Sequence, residues 1–156
     1  MIDVILSRSE AKIAKYIGLS RNNLSLRTKI NQRCDPNQMD DEMNVEAVGA
    51  ELAVAKVLNV YPDLSPRVGP LPKADLRYRG KLIDVKRNHL DEGDLLVRKL
   101  CDDVYYVLVC GSIPRFRIIG YIPGDKVDVF GAWSGLTYGP CWKVAPSKLL
   151  PIEELI

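Results

Sequence analysis

The chain has 156 residues, 47% of them hydrophobic, and a formal net charge of +2. That length and apolar content suit one α/β or α+β domain with a substantial core, and they exclude a disordered chain. So small a net charge excludes a uniformly basic nucleic-acid binder, but the charge is unevenly placed. Between Arg8 and Arg33 stand seven basic residues (Arg8, Lys12, Lys15, Arg21, Arg27, Lys29 and Arg33) against the single acidic Glu10, and a second basic concentration runs from Arg67 to Lys99. Cys34, Cys101, Cys110 and Cys141 are widely separated and there is one histidine, His89, which argues against a structural zinc site. No signal peptide and no apolar stretch of membrane-spanning length is visible, so the chain reads as a soluble protein of a reducing cytoplasm, with no membrane partner.

From about Ser7 to Lys29 the pattern is helical, with Ala11, Ile13, Ala14, Ile17 and Leu19 as the apolar side. Within it, Ala11 to Leu24 also fits a helix–turn–helix, with Gly18 in the turn and Ser20-Arg21-Asn22 opening a recognition helix. Residues 31–43 are polar and contain Pro36, which predicts a loop. A second helix is predicted from about Asn44 to Leu58, ended by Asn59 and then Pro62. It is apolar almost all round, and Glu51 is its only charge between Glu46 and Lys56. A bare buried carboxylate is expensive, so Glu51 either captures an arginine at the helix edge or faces a polar cavity.

After a Pro/Gly-rich loop from Pro62 to Pro72 comes the segment Asp75 to Lys86, which reads as a hairpin turning at Arg79-Gly80. Closing Tyr78 against Lys81 and counting outward sets Asp75 opposite Asp84, and alternation puts Lys86 on the face of Asp84. Facing carboxylates repel, which points to a cation between them. On the same count Arg77 lies beside Asp75 and Arg87 on the opposite face. Residues 94–100 are expected to form a short helix or strand. Val104–Cys110 suits a central strand buried on both faces, Phe116–Ile122 a further strand after the turn at 111–114. The Gly-, Pro- and Trp-rich tail from Pro123 is expected to be irregular, with a short closing segment at 147–156. Its Trp133, Tyr138 and Trp142 are either packing anchors or stacking platforms for bases.

Glu51, Asp75 and Asp84-Val85-Lys86, in the order helix Glu, strand Asp, then Asp-x-Lys, resemble the PD-(D/E)xK nuclease superfamily. The stretches 49–59 with 61–64, 107–109 with 116–122, and 144–149 are similar to small phage-encoded members, and the likeness covers roughly residues 44–150. It departs where Lys73-Ala74, rather than a proline, precede Asp75. The resemblance implies an α/β fold with a restriction-endonuclease-like core: a mixed sheet of about four strands flanked by helices. It divides a single domain into a helical extension and loop (1–43), a catalytic core (44–122) and a C-terminal extension (123–156). It further implies a metal-dependent deoxyribonuclease, an endonuclease of phage or prophage origin acting in the host cytoplasm.

Asp75, Asp84, the Val85 carbonyl and Glu51 would hold Mg²⁺, for which Mn²⁺ can substitute. Lys86 would position the attacking water and stabilise developing negative charge. Lys73, Arg77, Arg87 and His89 are candidate contacts to DNA, and cutting both strands would favour a homodimer. The alternatives are a Holliday-junction resolvase on the same core, or a non-catalytic DNA-binding protein using the helix–turn–helix segment.

Overall fold

In the computed structural model, residues 1–28, 40–65, 74–136 and 139–156 are described. Lys73, Tyr138, Cys34 and the predicted loops at 31–39 and 66–72 lie outside the described residues.

Strand β1 (Ile2–Ile5) opens the chain; Val4 within it and Leu6 just after it are buried. Ser7 then caps helix α1 (Arg8–Thr28). The Ser7 hydroxyl accepts from the Glu10 amide while the Glu10 carboxylate accepts from the Ser7 amide, a reciprocal box that satisfies two of the helix's orphan donors. Helix α2 (Asp40–Leu58) follows, starting four residues earlier than the sequence pattern suggests. It ends at Asn59, which takes the left-handed conformation (φ 52°) that asparagine tolerates best among non-glycines.

The predicted helix–turn–helix is not formed: α1 runs unbroken through Gly18. The glycine is there for proximity instead. A Cβ at Gly18 would stand 2.5 Å from the Cα of Val45, so α1 and α2 touch backbone to backbone. Ala14, Gly18 and Asn22 form the buried stripe, while Ile13, assigned to the apolar side from sequence, is 41% exposed. Gly18→Leu is accordingly expected to lower stability by about 1–3 kcal/mol through overpacking, read as a shift of the urea midpoint; an unchanged midpoint would mean the helices can separate freely there.

The hairpin forms as predicted from strands β2 (Leu76–Tyr78) and β3 (Lys81–Asn88), with Tyr78 paired to Lys81. Arg79 and Gly80 both have positive φ (47° and 79°), the geometry of the two-residue turn that matches strand twist. β3 continues through the short strand β4 (Leu95–Val97) to β5 (Val104–Ser112), and β6 (Arg115–Pro123) returns beside it. The main sheet has the order β1-β6-β5-β3-β2. It is mixed, because β3 and β5 run parallel while the other neighbours are antiparallel. β5 is central, and Val104 and Tyr106–Cys110 are buried on both faces, as the continuous apolar run predicts.

Two expectations are corrected. Among the described residues the main sheet has five strands, not about four, because residues 2–5 belong to it rather than to a helical extension. The tail is not irregular. After a one-turn helix α3 (Val127–Phe130), strands β7 (Ala132–Leu136) and β8 (Gly139–Val144) join β4 in a second sheet of order β4-β8-β7. One core lies between the main sheet and α2, around Val48, Val54, Ile83, Val107 and Ile118. The other lies on the opposite face against the second sheet, around Leu95, Val97, Tyr106, Leu108 and Val144. No helix among the described residues is long and apolar enough to cross a membrane.

Candidate metal and nuclease centre

The centre lies where α2 meets the open end of the β2–β3 hairpin. Ile83 and Val85 turn toward α2, so alternation sends Asp84 and Lys86 to the other face. There the Lys86 ammonium donates to Asp84 Oδ1 at 2.6 Å and stands 6.0 Å from the ring centre of Tyr106, the residue beside Asp84 on β5. Tyr106 is itself fixed: its hydroxyl donates to the Lys99 carbonyl and accepts from the Cys101 amide, both at 3.0 Å. Burial and then the nearby Asp84 push its phenol up to about 12.

Asp75 departs from the expected geometry. The β2–β3 ladder ends at Leu76–Ile83, and the Asp75 amide bonds the Ile83 carbonyl at 2.8 Å instead of continuing the register toward Asp84. Its carboxylate takes the place of a main-chain carbonyl, accepting from the Val85 amide at 2.8 Å. Asp75 therefore lies at the end of the hairpin and does not project squarely from the Asp84 face. It remains within electrostatic reach of both other acids. Burial, then Glu51 and Asp84, push it from the usual 3.8 up to about 7, against the pull of the Val85 amide and Lys86.

Glu51 is held by a partner thirty residues away. Arg21 Nη1 on α1 donates to both Glu51 oxygens, at 2.8 and 3.0 Å, and Nη2 donates to the Asp63 carbonyl at 2.9 Å. Burial raises the Glu51 pKa above its ordinary value, Arg21 opposes that rise, and Asp84 and Asp63 add to it. Of the two sequence alternatives for Glu51, capture of an arginine is the one formed; Glu51 also acts electrostatically on Asp75. Arg21 is the main residue that reading the sequence as a motif misses. Its only signal was the cost of burying Glu51 unpaired.

The proposed DNA contacts are scattered. Arg77 is exposed on the edge strand β2 and His89 is exposed just beyond β3. Arg87 lies on the opposite face, as the count predicts, but is tied up there: it faces α2, with Nε donating to the Gly111 carbonyl at 2.8 Å and lying 3.8 Å from Glu46. Glu46 also accepts from the Ile113 amide at 2.9 Å. With a side chain only 11% exposed, Arg87 fastens α2 to the β5–β6 turn and is not free to meet a substrate. Trp133 is exposed and packs edge-on against Trp142 at 5.2 Å, which makes the pair an anchor of the second sheet with one ring at the surface. Cys110 is buried as a free thiol.

Among the described residues, no three acidic, His or Cys side chains converge on one point as oriented: Glu51 turns to Arg21, Asp84 to Lys86, and Asp75 to the Val85 amide. The donor chemistry nonetheless suits a hard divalent cation. Asp75 Oδ2 and Asp84 Oδ1 carry those bonds, which leaves Asp75 Oδ1 and Asp84 Oδ2 to serve as oxygen donors.

The raised Asp75 pKa has a direct consequence for stability. Below about pH 4 the carboxyl is neutral in folded and unfolded chains alike. Between there and about 7 the folded state keeps a proton that the unfolded chain has lost. Stability in EDTA is therefore expected to fall as pH rises through this window, by on the order of 1 kcal/mol per pH unit at the steepest. Asp75→Asn should flatten the fall in urea unfolding; a slope unchanged by the substitution would place the proton elsewhere.

No family model, no curated protein and no solved structure matches this chain.

Proposed function

We propose that this protein is a metal-dependent nuclease that hydrolyses phosphodiester bonds of DNA, with Mg²⁺ or Mn²⁺ held by Asp75 and Asp84 and with Lys86 as the catalytic cation. The observation that carries the reading is the gathering of Glu51, Asp75 and Asp84 into one electrostatic cluster beside Lys86. Asp75 carries the repulsion of Glu51 and Asp84 in the free protein, and a divalent cation would turn that repulsion into binding. The order helix Glu, strand Asp, Asp-x-Lys adds the likeness to PD-(D/E)xK nucleases.

A bound Mg²⁺ supplies Lewis-acid neutralisation of the phosphate and a water made nucleophilic at neutral pH. The chain's own residues do the rest. Asp84 aims the Lys86 ammonium, Tyr106 bounds the space beneath it, and Lys86 donates hydrogen bonds to the charge that grows on the phosphate oxygens. The basic residues around the hairpin, Arg77 among them, attract the polyanion. Endonucleolytic action, a phage origin and a homodimer belong to this same reading.

The test is cleavage of supercoiled, linear and single-stranded DNA, and of RNA, in Mg²⁺, Mn²⁺ or EDTA, with Asp84→Asn beside the wild type. Metal-dependent nicking of supercoiled DNA, absent in the variant, is the expected outcome. Cleavage that survives both EDTA and Asp84→Asn would overturn it.

A further inference from the structure

Resting on that reading, we infer that Arg21 is a built-in cation of the centre, that Glu51 serves Arg21 rather than a metal, and that the centre takes one divalent ion, at Asp75 and Asp84. Both Glu51 oxygens are engaged by a single guanidinium nitrogen, and the pair is largely buried, with side-chain exposures of 25% for Arg21 and 8% for Glu51. For Glu51 to ligate a second ion it would have to set a divalent cation directly beside the buried guanidinium that both its oxygens already serve, or leave Arg21. The guanidinium cannot shed its proton to accommodate this, and a buried charge stripped of its partner is strongly disfavoured. Nor can Arg21 swing away cheaply, since its other terminal nitrogen is tied to the Asp63 carbonyl.

Arg21 thereby joins three pieces of chain at the site: α1, α2, and the segment after α2 that leads toward the hairpin. It also opposes, at Glu51 itself, the charge that Glu51 brings to bear on Asp75. In this role Arg21 is a positioning residue: it fixes Glu51 and supplies positive charge where a second metal would otherwise be needed. This gives a purpose to the basic helix α1 without a helix–turn–helix.

The experiment is calorimetric titration of the full chain with Mn²⁺, with no substrate present. Wild type is expected to bind one ion, and Asp84→Asn to weaken binding at least about tenfold more than Glu51→Gln. Two ions bound per wild-type chain would overturn the inference without touching the proposed nuclease. So would Glu51→Gln weakening Mn²⁺ as much as Asp84→Asn. No Mn²⁺ binding by wild type would overturn the metal centre itself, and this inference with it. The wild-type stoichiometry decides the matter even if a variant fails to fold.

Discussion

Lys86→Ala is expected to lower DNA cleavage turnover by about 10²–10³-fold, the usual cost of removing one preorganised donor from a site of developing negative charge. The ammonium is held at 2.6 Å by Asp84, over a tyrosine ring that is itself hydrogen-bonded at both ends of its hydroxyl. Such a group arrives in place before the reaction and needs no reorganisation. The side chain is 35% exposed, so its removal leaves the core intact. Binding of duplex DNA in Ca²⁺ should change little, because one phosphate contact among several is lost. The loss therefore belongs in kcat rather than KM. Cleavage by Lys86→Ala at the wild-type rate would remove Lys86 from the chemistry and leave it as a counter-ion to Asp84.

The second large effect is on stability. Arg21→Met, in the absence of divalent cations, is expected to cost about 3 kcal/mol, at the lower end of what breaking one side of a buried pair costs. Glu51 can escape part of the penalty by taking up a proton, a direction its raised pKa already favours. Adding Glu51→Gln to Arg21→Met should recover much of the loss, since the uncompensated charge disappears. Urea unfolding of the two single variants and the double variant gives the coupling directly. A coupling near zero would mean that the pair contributes nothing at this site.

These outcomes also mark how far the sequence could be read. The hairpin register was legible because Arg79-Gly80 fixes the turn, and the turn length fixes the pairings from Tyr78–Lys81 out to Leu76–Ile83, where the ladder ends. The central strand was legible because seven apolar residues from Val104 to Cys110 suit only a strand covered on both faces. The second sheet was not. β7 and β8 are short and broken by glycine and proline, and β8 pairs with a strand more than forty residues earlier, so no local period announces them. The glycine in α1 misled for a physical reason: Gly18 lowers local helix propensity, while the close approach to Val45 that favours it is a tertiary fact. At the site, Glu51, Asp84 and Lys86 followed from type and alternation. The bend at Asp75 and the Arg21–Glu51 pair did not, because each depends on where another segment lies.

The most direct test of the central claim is anomalous diffraction from crystals of the protein grown with Mn²⁺. A single Mn²⁺ peak bounded by Asp75 and Asp84, with Glu51 still on Arg21 and Lys86 alongside, is the predicted result. A well-ordered Asp75 and Asp84 with no Mn²⁺ between them, or an ion bound elsewhere and touching neither, would contradict it.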